Sequence, residues 1–243
     1  MTHTADEAFG ALIRKLDKMA ALSQADKQAI SALPFRIATV KAGAHLVREG
    51  QEVTECCVLL RGYAFRYKVA ANGNRQIVSF HLAGDVLDIQ HLLLPRADHG
   101  LQTLTDAVVA WVPVAAMRAV IANRPTIGDA LWRDTLIDAS VFREWILNVG
   151  QRDAKSRIAH MLCEFAVRRE AAGLGSPERF DLPMTQEHIA DATGLTPVHV
   201  NRMLMALANE GVIERDKREV KIADWERMRR LADFDYNYLH VAA

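Results

Sequence analysis

The sequence predicts an α+β chain in three successive parts: a β-barrel of short strands, one long helix and a C-terminal winged helix-turn-helix. Three observations carry that reading. Apolar residues recur at helical spacing near the start, switch to short strand-like runs between about 35 and 113, and return to helical spacing after Arg124-Pro125. The stretch from Thr126 to about Gly150 carries an apolar band wider than one contact needs. Between Thr185 and Leu207, two short helical patterns are joined across a glycine.

Taken in order, the opening segment over roughly 5–33 places Phe9, Leu12, Ile13, Leu16, Met19 and Ala20 on one stripe, and Leu33-Pro34 ends it, so 1–34 is expected to be a helical lead-in. Over 35–123 the runs Cys56–Leu60, Tyr63–Val69, Gln76–Leu82 and Val108–Val112 alternate with glycines at 43, 50, 62, 73 and 84. Strands at such intervals with turn signals between them predict a rolled barrel of about eight strands. Asn72-Gly73 is expected to form a two-residue hairpin turn. The long helix is expected over 124–152, with Ile127, Leu131, Ile137, Val141, Phe142, Trp145, Ile146 and Val149 in its apolar band. A helix apolar on two sides must bury the second, and a second copy of the chain would cover it, giving a homodimer.

A separate unit is expected over 153–228, followed by a tail over 229–243. Thr185 reads as an N-cap and Gly194 as the left-handed residue ending a two-turn helix. Thr196 reads as the cap of a second helix, with Pro197 at its first position, where a missing N–H costs nothing. Val200, Met203, Leu204 and Leu207 form that helix's inner stripe, leaving Val198, His199, Asn201, Arg202 and Met205 outward. Arg202 can donate twice to guanine, Asn201 or His199 can read an adenine edge or a phosphate, and Val198 can touch a thymine methyl. Thr185 and Gln186 start the first helix, where free N–H groups hold phosphate. Val212-Ile213 and Val220-Lys221-Ile222 flank a charged tip, a β-hairpin wing that offers Lys217 and Arg218 to phosphates.

Composition bounds the partner. Lys+Arg is 30 and Asp+Glu is 30, so the formal charge is zero, which excludes a chain that coats nucleic acid by charge alone. Residues 152–230 hold 14 Lys/Arg against 13 Asp/Glu, so recognition of double-stranded DNA must rest on placed side chains and on pairing of two copies. The three cysteines, Cys56, Cys57 and Cys163, contain no C-x-x-C pair and supply no zinc or iron–sulfur ligand set. Met1 to Gly10 lacks the basic and apolar regions of a signal peptide, and the longest apolar run, Val108 to Met117, is too short to span a bilayer. The chain is therefore expected to be cytoplasmic, without membrane contact.

The strings Ser79-Phe80-His81-Leu82-Ala83-Gly84-Asp85, Arg152-Asp153-Ala154-Lys155-Ser156-Arg157-Ile158-Ala159 and Thr185-Gln186-Glu187 through Thr196-Pro197-Val198-His199-Val200-Asn201-Arg202 resemble the Crp/Fnr family of bacterial transcription regulators, nearer its Fnr side. The resemblance implies a cyclic-nucleotide-binding-like barrel (jelly roll), a dimerisation helix and a Crp-type winged helix. It implies a homodimer whose recognition helices, over 196–209, enter the major groove of a pseudo-palindromic site, with their spacing modulated through the barrel. It puts the family's base-reading arginine at Arg202, and Val198 where the family often has glutamate. RNA polymerase is the further partner an activator would need.

The same resemblance weighs against the family's effectors. Gly84-Asp85 stands where cAMP binders have Gly-Glu, Asp98-His99 where they have Arg-Ser, and about Phe142-Arg143 where they have Thr-Ser. An acidic residue facing a phosphate has the wrong sign, so tight cAMP binding is not expected. An Fnr-type cluster needs four cysteines and is not expected. His81, His91 and His99 are the candidates for a haem ligand, although surface or turn roles are expected of them. Two alternatives to a DNA-binding regulator are a cupin-like metal-dependent enzyme with a tethered helical domain, and a winged helix used for protein contacts. His45, His81, His91 and His99 lack the usual cupin spacing.

Overall fold

The structure, a computed structural model, describes residues 5–241, so the first and last few positions of the expected lead-in and tail lie outside the described residues. The chain divides into two units, one of residues 1–68 with 80–138, the other of 69–79 with 139–243.

In the first unit the opening segment forms two helices, α1 (Ala5–Ala20) and α2 (Gln24–Ser31), where one lead-in stripe was expected. The break has a local cause. Ala21 takes φ 46°, and Ser23 caps α2 in a reciprocal box with Asp26. Phe9, Leu12 and Leu16 of α1 are buried with Leu22, Ile30 and Leu33.

Seven strands follow: β1 (Arg36–Val40), β2 (His45–Val47), β3 (Glu55–Arg61), β4 (Ala64–Val69), β5 (Arg75–His81), β6 (Gly100–Thr103) and β7 (Ala107–Pro113). They make two sheets, ordered β1-β7-β3 and β2-β6-β4-β5. The four expected runs became β3, β4, β5 and β7. Strand β3 is buried on both faces, which is why it reads as a continuous apolar run. Cys56 and Val58 join the helical core with Ala110, Val112 and Met117. Cys57 and Leu59, on the other face, join Leu46, Val47, Leu87, Leu101 and Val109 between the sheets. The β4–β5 connection, residues 70–74, closes on Ala70 and Asn74 around a three-residue tip. Gly73 N–H donates to Ala70 O, Ala70 N–H donates to Asn74 O, and Gly73 alone of the pair has positive φ, at 85°.

Helix α3 (Val114–Asn123) leads into α4 (Pro125–Gln151), begun by the Pro125 of the expected boundary. Ile127, Ala130, Leu131, Val141 and Trp145 are buried, whereas Trp132, Leu136, Ile146 and Leu147 are exposed. The expected two-sided apolar character is thus present, with Ile146 on the outward side.

The second unit contains α5 (Ala154–Ala171), β8 (Arg179–Asp181), α6 (Gln186–Thr193), α7 (Pro197–Asn209), β9 (Ile213–Asp216), β10 (Glu219–Ile222) and α8 (Trp225–Ala232). Ile158, Leu162, Ile189, Val200, Leu204, Leu207, Val220 and Met228 form its core. The wing hairpin β9–β10 gains a third strand, β8, pairing antiparallel with β10.

Candidate nucleic-acid interface

Helices α6 and α7 are built by local chemistry. Thr185 has extended backbone, and its Oγ1 accepts from His188 N–H at 3.2 Å. Its own N–H donates to His188 Nδ1 at 3.3 Å, closing a capping box with histidine in the usual acidic place. Gly194 ends α6 at φ 67°, a conformation costing an L side chain about 1–2 kcal/mol. Thr196 Oγ1 then accepts from His199 N–H at 3.2 Å, and Pro197 opens α7. Val200, Leu204 and Leu207 are buried, which turns the opposite side of α7 outward.

On that outer side Val198 is 73% exposed and Met205 53%. Arg202 is exposed, and His199 and Asn201 are half-buried. Among the described residues Arg202 has no hydrogen-bond or ion-pair partner. Asn201 does: Gln186 Nε2 donates to its Oδ1 at 3.0 Å, and Asn201 Nδ2 lies 3.9 Å from Met205 Sδ. Thr185 and Gln186 are exposed at the start of α6, beside Glu187.

The wing separates its cations into two kinds. Arg179 is committed to Glu219 through two bonds of 2.7 Å, and Lys221 to Glu214 at 2.9 Å. Lys217 and Arg218 sit in the two-residue tip between Asp216 and Glu219, exposed and, among the described residues, without side-chain partners. Lys217 takes φ 53° there. Among the described residues the tip pair, like the exposed Arg215 of β9, is free to meet a phosphate.

Behind the interface a buried polar network joins the end of α4 to α5 and the C-terminal segment. Glu164 accepts from Trp145 Nε1 at 2.9 Å and from Tyr238 Oη at 2.7 Å. Arg152 donates to Glu144 at 2.7 Å and to Asp233 at 3.1 Å. The short break between α4 and α5 is therefore clasped by residues 233–238. Sequence reading missed this, because its members are scattered over about 95 positions.

In the barrel, Asp85 accepts from Leu82 N–H at 3.0 Å and pairs with Lys15 of α1 at 2.8 Å. The same ammonium reaches Asp134 of α4 at 2.7 Å. Burial alone would lower the Lys15 pKa, but Asp85, Asp134 and Asp138 outweigh it and raise it. Asp98 projects to solvent and accepts from His99 Nδ1 at 2.6 Å, while burial lowers the His99 pKa to about 4. Arg143 donates to Ser140. His81 lies 3.4 Å from Asp85, and burial lowers its pKa. His91 Nδ1 lies 2.8 Å from Leu94 O. All three thiols are buried, and burial raises the Cys56 pKa to about 12. Among the described residues no group of three or more His, Cys, Asp or Glu is placed to hold a metal ion, and no helix is long and apolar enough to cross a membrane.

Comparison with known proteins accounts for both folded parts. Residues 37–124 match the family model of the cyclic nucleotide-binding domain, and 156–231 that of the Crp-like helix-turn-helix domain. The chain is 29% identical over 199 residues to the transcriptional activator protein FnrL of Cereibacter sphaeroides, covering 80% of this chain and 79% of that one. It is 27% identical over 193 residues to a probable transcriptional activator of Rhizobium leguminosarum bv. viciae, covering 79% of each. FixK2 from Bradyrhizobium japonicum has the same fold, with a TM-score of 0.75 at 24% identity over 82% of this chain and 98% of that one. So does a CRP-family transcriptional regulator from Thermus thermophilus, with 0.66 at 20% identity over 84% and 100%. These matches leave the cupin-like enzyme without support. The chain belongs to the Crp/Fnr family of transcription regulators and carries that family's helix-turn-helix DNA-binding domain.

Proposed function

We propose that the chain works in the cytoplasm as a homodimer, each copy presenting α7 to the major groove of one half of a pseudo-palindromic duplex. The observation that carries this is the outer face of α7, where an uncommitted Arg202 lies between exposed Val198 and Met205. A guanidinium reads guanine O6 and N7, and the two apolar groups suit thymine methyls. Thr185, Gln186, Thr196, Pro197 and His199 flank that face, at the starts of α6 and α7, where the positive end of a helix favours phosphate. Lys217 and Arg218 reach phosphates from the wing. The exposed apolar residues of α4 supply the dimer surface. Two-fold pairing would put the recognition helices about 34 Å apart, one turn of B-DNA.

The barrel's charge argues against cAMP as effector. Asp85, standing where cAMP binders have glutamate, is committed to Lys15, and Asp98, in the place of their arginine, is an exposed carboxylate. The regulator functions without an iron–sulfur cluster or haem, and it contacts RNA polymerase when it activates, as the relatives' names suggest. Genomic footprinting combined with sedimentation equilibrium tests the core of this reading. Recurrent sites with two-fold sequence symmetry and a mass of two chains are expected. A monomer, or footprints without symmetry, would overturn it.

A further inference from the structure

The thirteen residues of α7, Pro197–Asn209, include neither Asp nor Glu. A carboxylate accepting from N4 is the usual way a recognition helix selects cytosine, and α7 has none to offer. In that outward place stands Val198, 73% exposed, with the exposed and uncommitted Arg202 one turn further along. Side chains four apart on a helix lie one above the other, about 5–6 Å between Cβ atoms. The isopropyl group of Val198 and the guanidinium of Arg202 therefore share one outward stripe, a spacing that suits neighbouring base pairs. Valine is also stiff, because β-branching leaves one χ1 rotamer strongly preferred in a helix, so its methyls are in place before any contact forms. They offer no donor and no acceptor. What they can recognise in the major groove is an apolar group, and the bases present one kind there, a methyl at C5 of a pyrimidine.

We propose that Val198 reads the C5-methyl group of a pyrimidine next to the guanine held by Arg202, whether that methyl belongs to thymine or to 5-methylcytosine. An isopropyl group cannot tell O4 from N4, so the two methylated bases are equivalent to it. Unmodified cytosine, with hydrogen at C5, gives it nothing to touch. A site with cytosine at this position is held weakly until the base is methylated. Cytosine methylation thereby becomes an input that acts from the DNA side of the complex. This rests on the reading of α7 as the recognition helix, with Arg202 as its guanine contact.

The test begins with selection of duplexes bound by the full chain from a library with randomised half-sites, and repeating it with Arg202→Ala marks the guanine that Arg202 reads. The positions flanking that guanine are then rebuilt with cytosine, 5-methylcytosine, thymine or uracil, and Kd is measured for the wild type and for Val198→Ala. Val198 is exposed, and thermal melts confirm that the variant folds. Two comparisons isolate the methyl group: 5-methylcytosine against cytosine, and thymine against uracil. At one flanking position the wild type is expected to favour the methylated member of both pairs, by about fourfold per half-site, the value of burying one methyl-sized group. Val198→Ala should lose both preferences together. If the wild type holds thymine and uracil equally at both flanks, no methyl is read and the proposal is wrong. It is equally wrong if the preferences survive in Val198→Ala, or if thymine gains over uracil while 5-methylcytosine gains nothing over cytosine. Failure of the underlying reading looks different: the wild type enriches no sequence, or Arg202→Ala leaves the selected site unaltered.

Discussion

Among the described residues Arg202 has no partner to surrender before it could meet a base, and this separates it from Arg179 and Lys221 of its unit. Arg179 would have to leave Glu219, and Lys221 would have to leave Glu214. Arg202→Ala is expected to cost about 1–3 kcal/mol of discrimination per half-site, whereas Arg179→Ala should leave it unchanged; competition anisotropy with cognate and guanine-substituted duplexes measures both. A second residue-scale prediction concerns Asp88. Its carboxyl is fully buried, accepts from Cys57 N–H at 2.8 Å, and is pushed by burial from an ordinary 3.8 up to about 7. Below 3.8 both folded and unfolded chains hold the proton. Between there and about 7 only the folded chain does, so stability from this group falls as pH rises, by about 1.4 kcal/mol per unit. Asp88→Asn, which keeps the acceptor, should remove that slope when denaturant midpoints are compared across the window; parallel pH profiles would refute the assignment. At this scale the caps were legible in sequence, because Thr185, Gly194, Thr196 and Pro197 act within three or four residues of themselves. The Gln186–Asn201 bond was not, because it depends on how two helices cross.

Elements show the same divide between local and distant causes. The break between α1 and α2 is written in Ser23-x-x-Asp26, although the apolar stripe running through it masks the signal. Strand β8 is three residues long, follows a glycine- and proline-rich loop, and exists because β10 offers it an edge; nothing in its own residues announces it. The clasp on the α4–α5 junction is the most distant case, since Glu144, Arg152, Glu164, Asp233 and Tyr238 meet only after folding. It yields a prediction in which two substitutions differ in size. Tyr238→Phe removes the short bond to Glu164 and a long one, 3.5 Å, to His160 Nε2, and should cost about 1 kcal/mol. Glu164→Ala withdraws an acceptor shared by Trp145, Tyr238 and Arg168 and should cost on the order of 3 kcal/mol. Urea denaturation of both variants reads the difference, and equal small losses would mean the network does not hold the junction.

Taken whole, the molecule has no net charge, so the proposed grip on DNA is distributed among a few positions and multiplied by the proposed pairing. The apolar band of α4, too broad for one partner, was legible in sequence, and its outward members, Trp132 at 61% and Ile146 at 70% exposure, are the residues a second copy would cover in the proposed dimer. Trp132→Glu with Leu136→Glu should shift sedimentation to the monomer mass and weaken binding to a two-fold site far more than to a single half-site. Salt dependence then counts phosphate contacts and copies together. Each neutralised phosphate contributes about −0.9 to the slope of log K against log salt. The two wing-tip cations, Lys217 and Arg218, are free in each chain. Removing both as Lys217→Ala with Arg218→Ala should flatten the slope by about 1.8 if one chain binds, and by about 3.6 if two bind as a unit. Base preference should survive, because these side chains touch no base. A titration series from low to moderate salt on the selected duplex distinguishes the cases. An unchanged slope would return the wing tip to solvent, and a change near ~1.8 would mean that a single wing carries the contact.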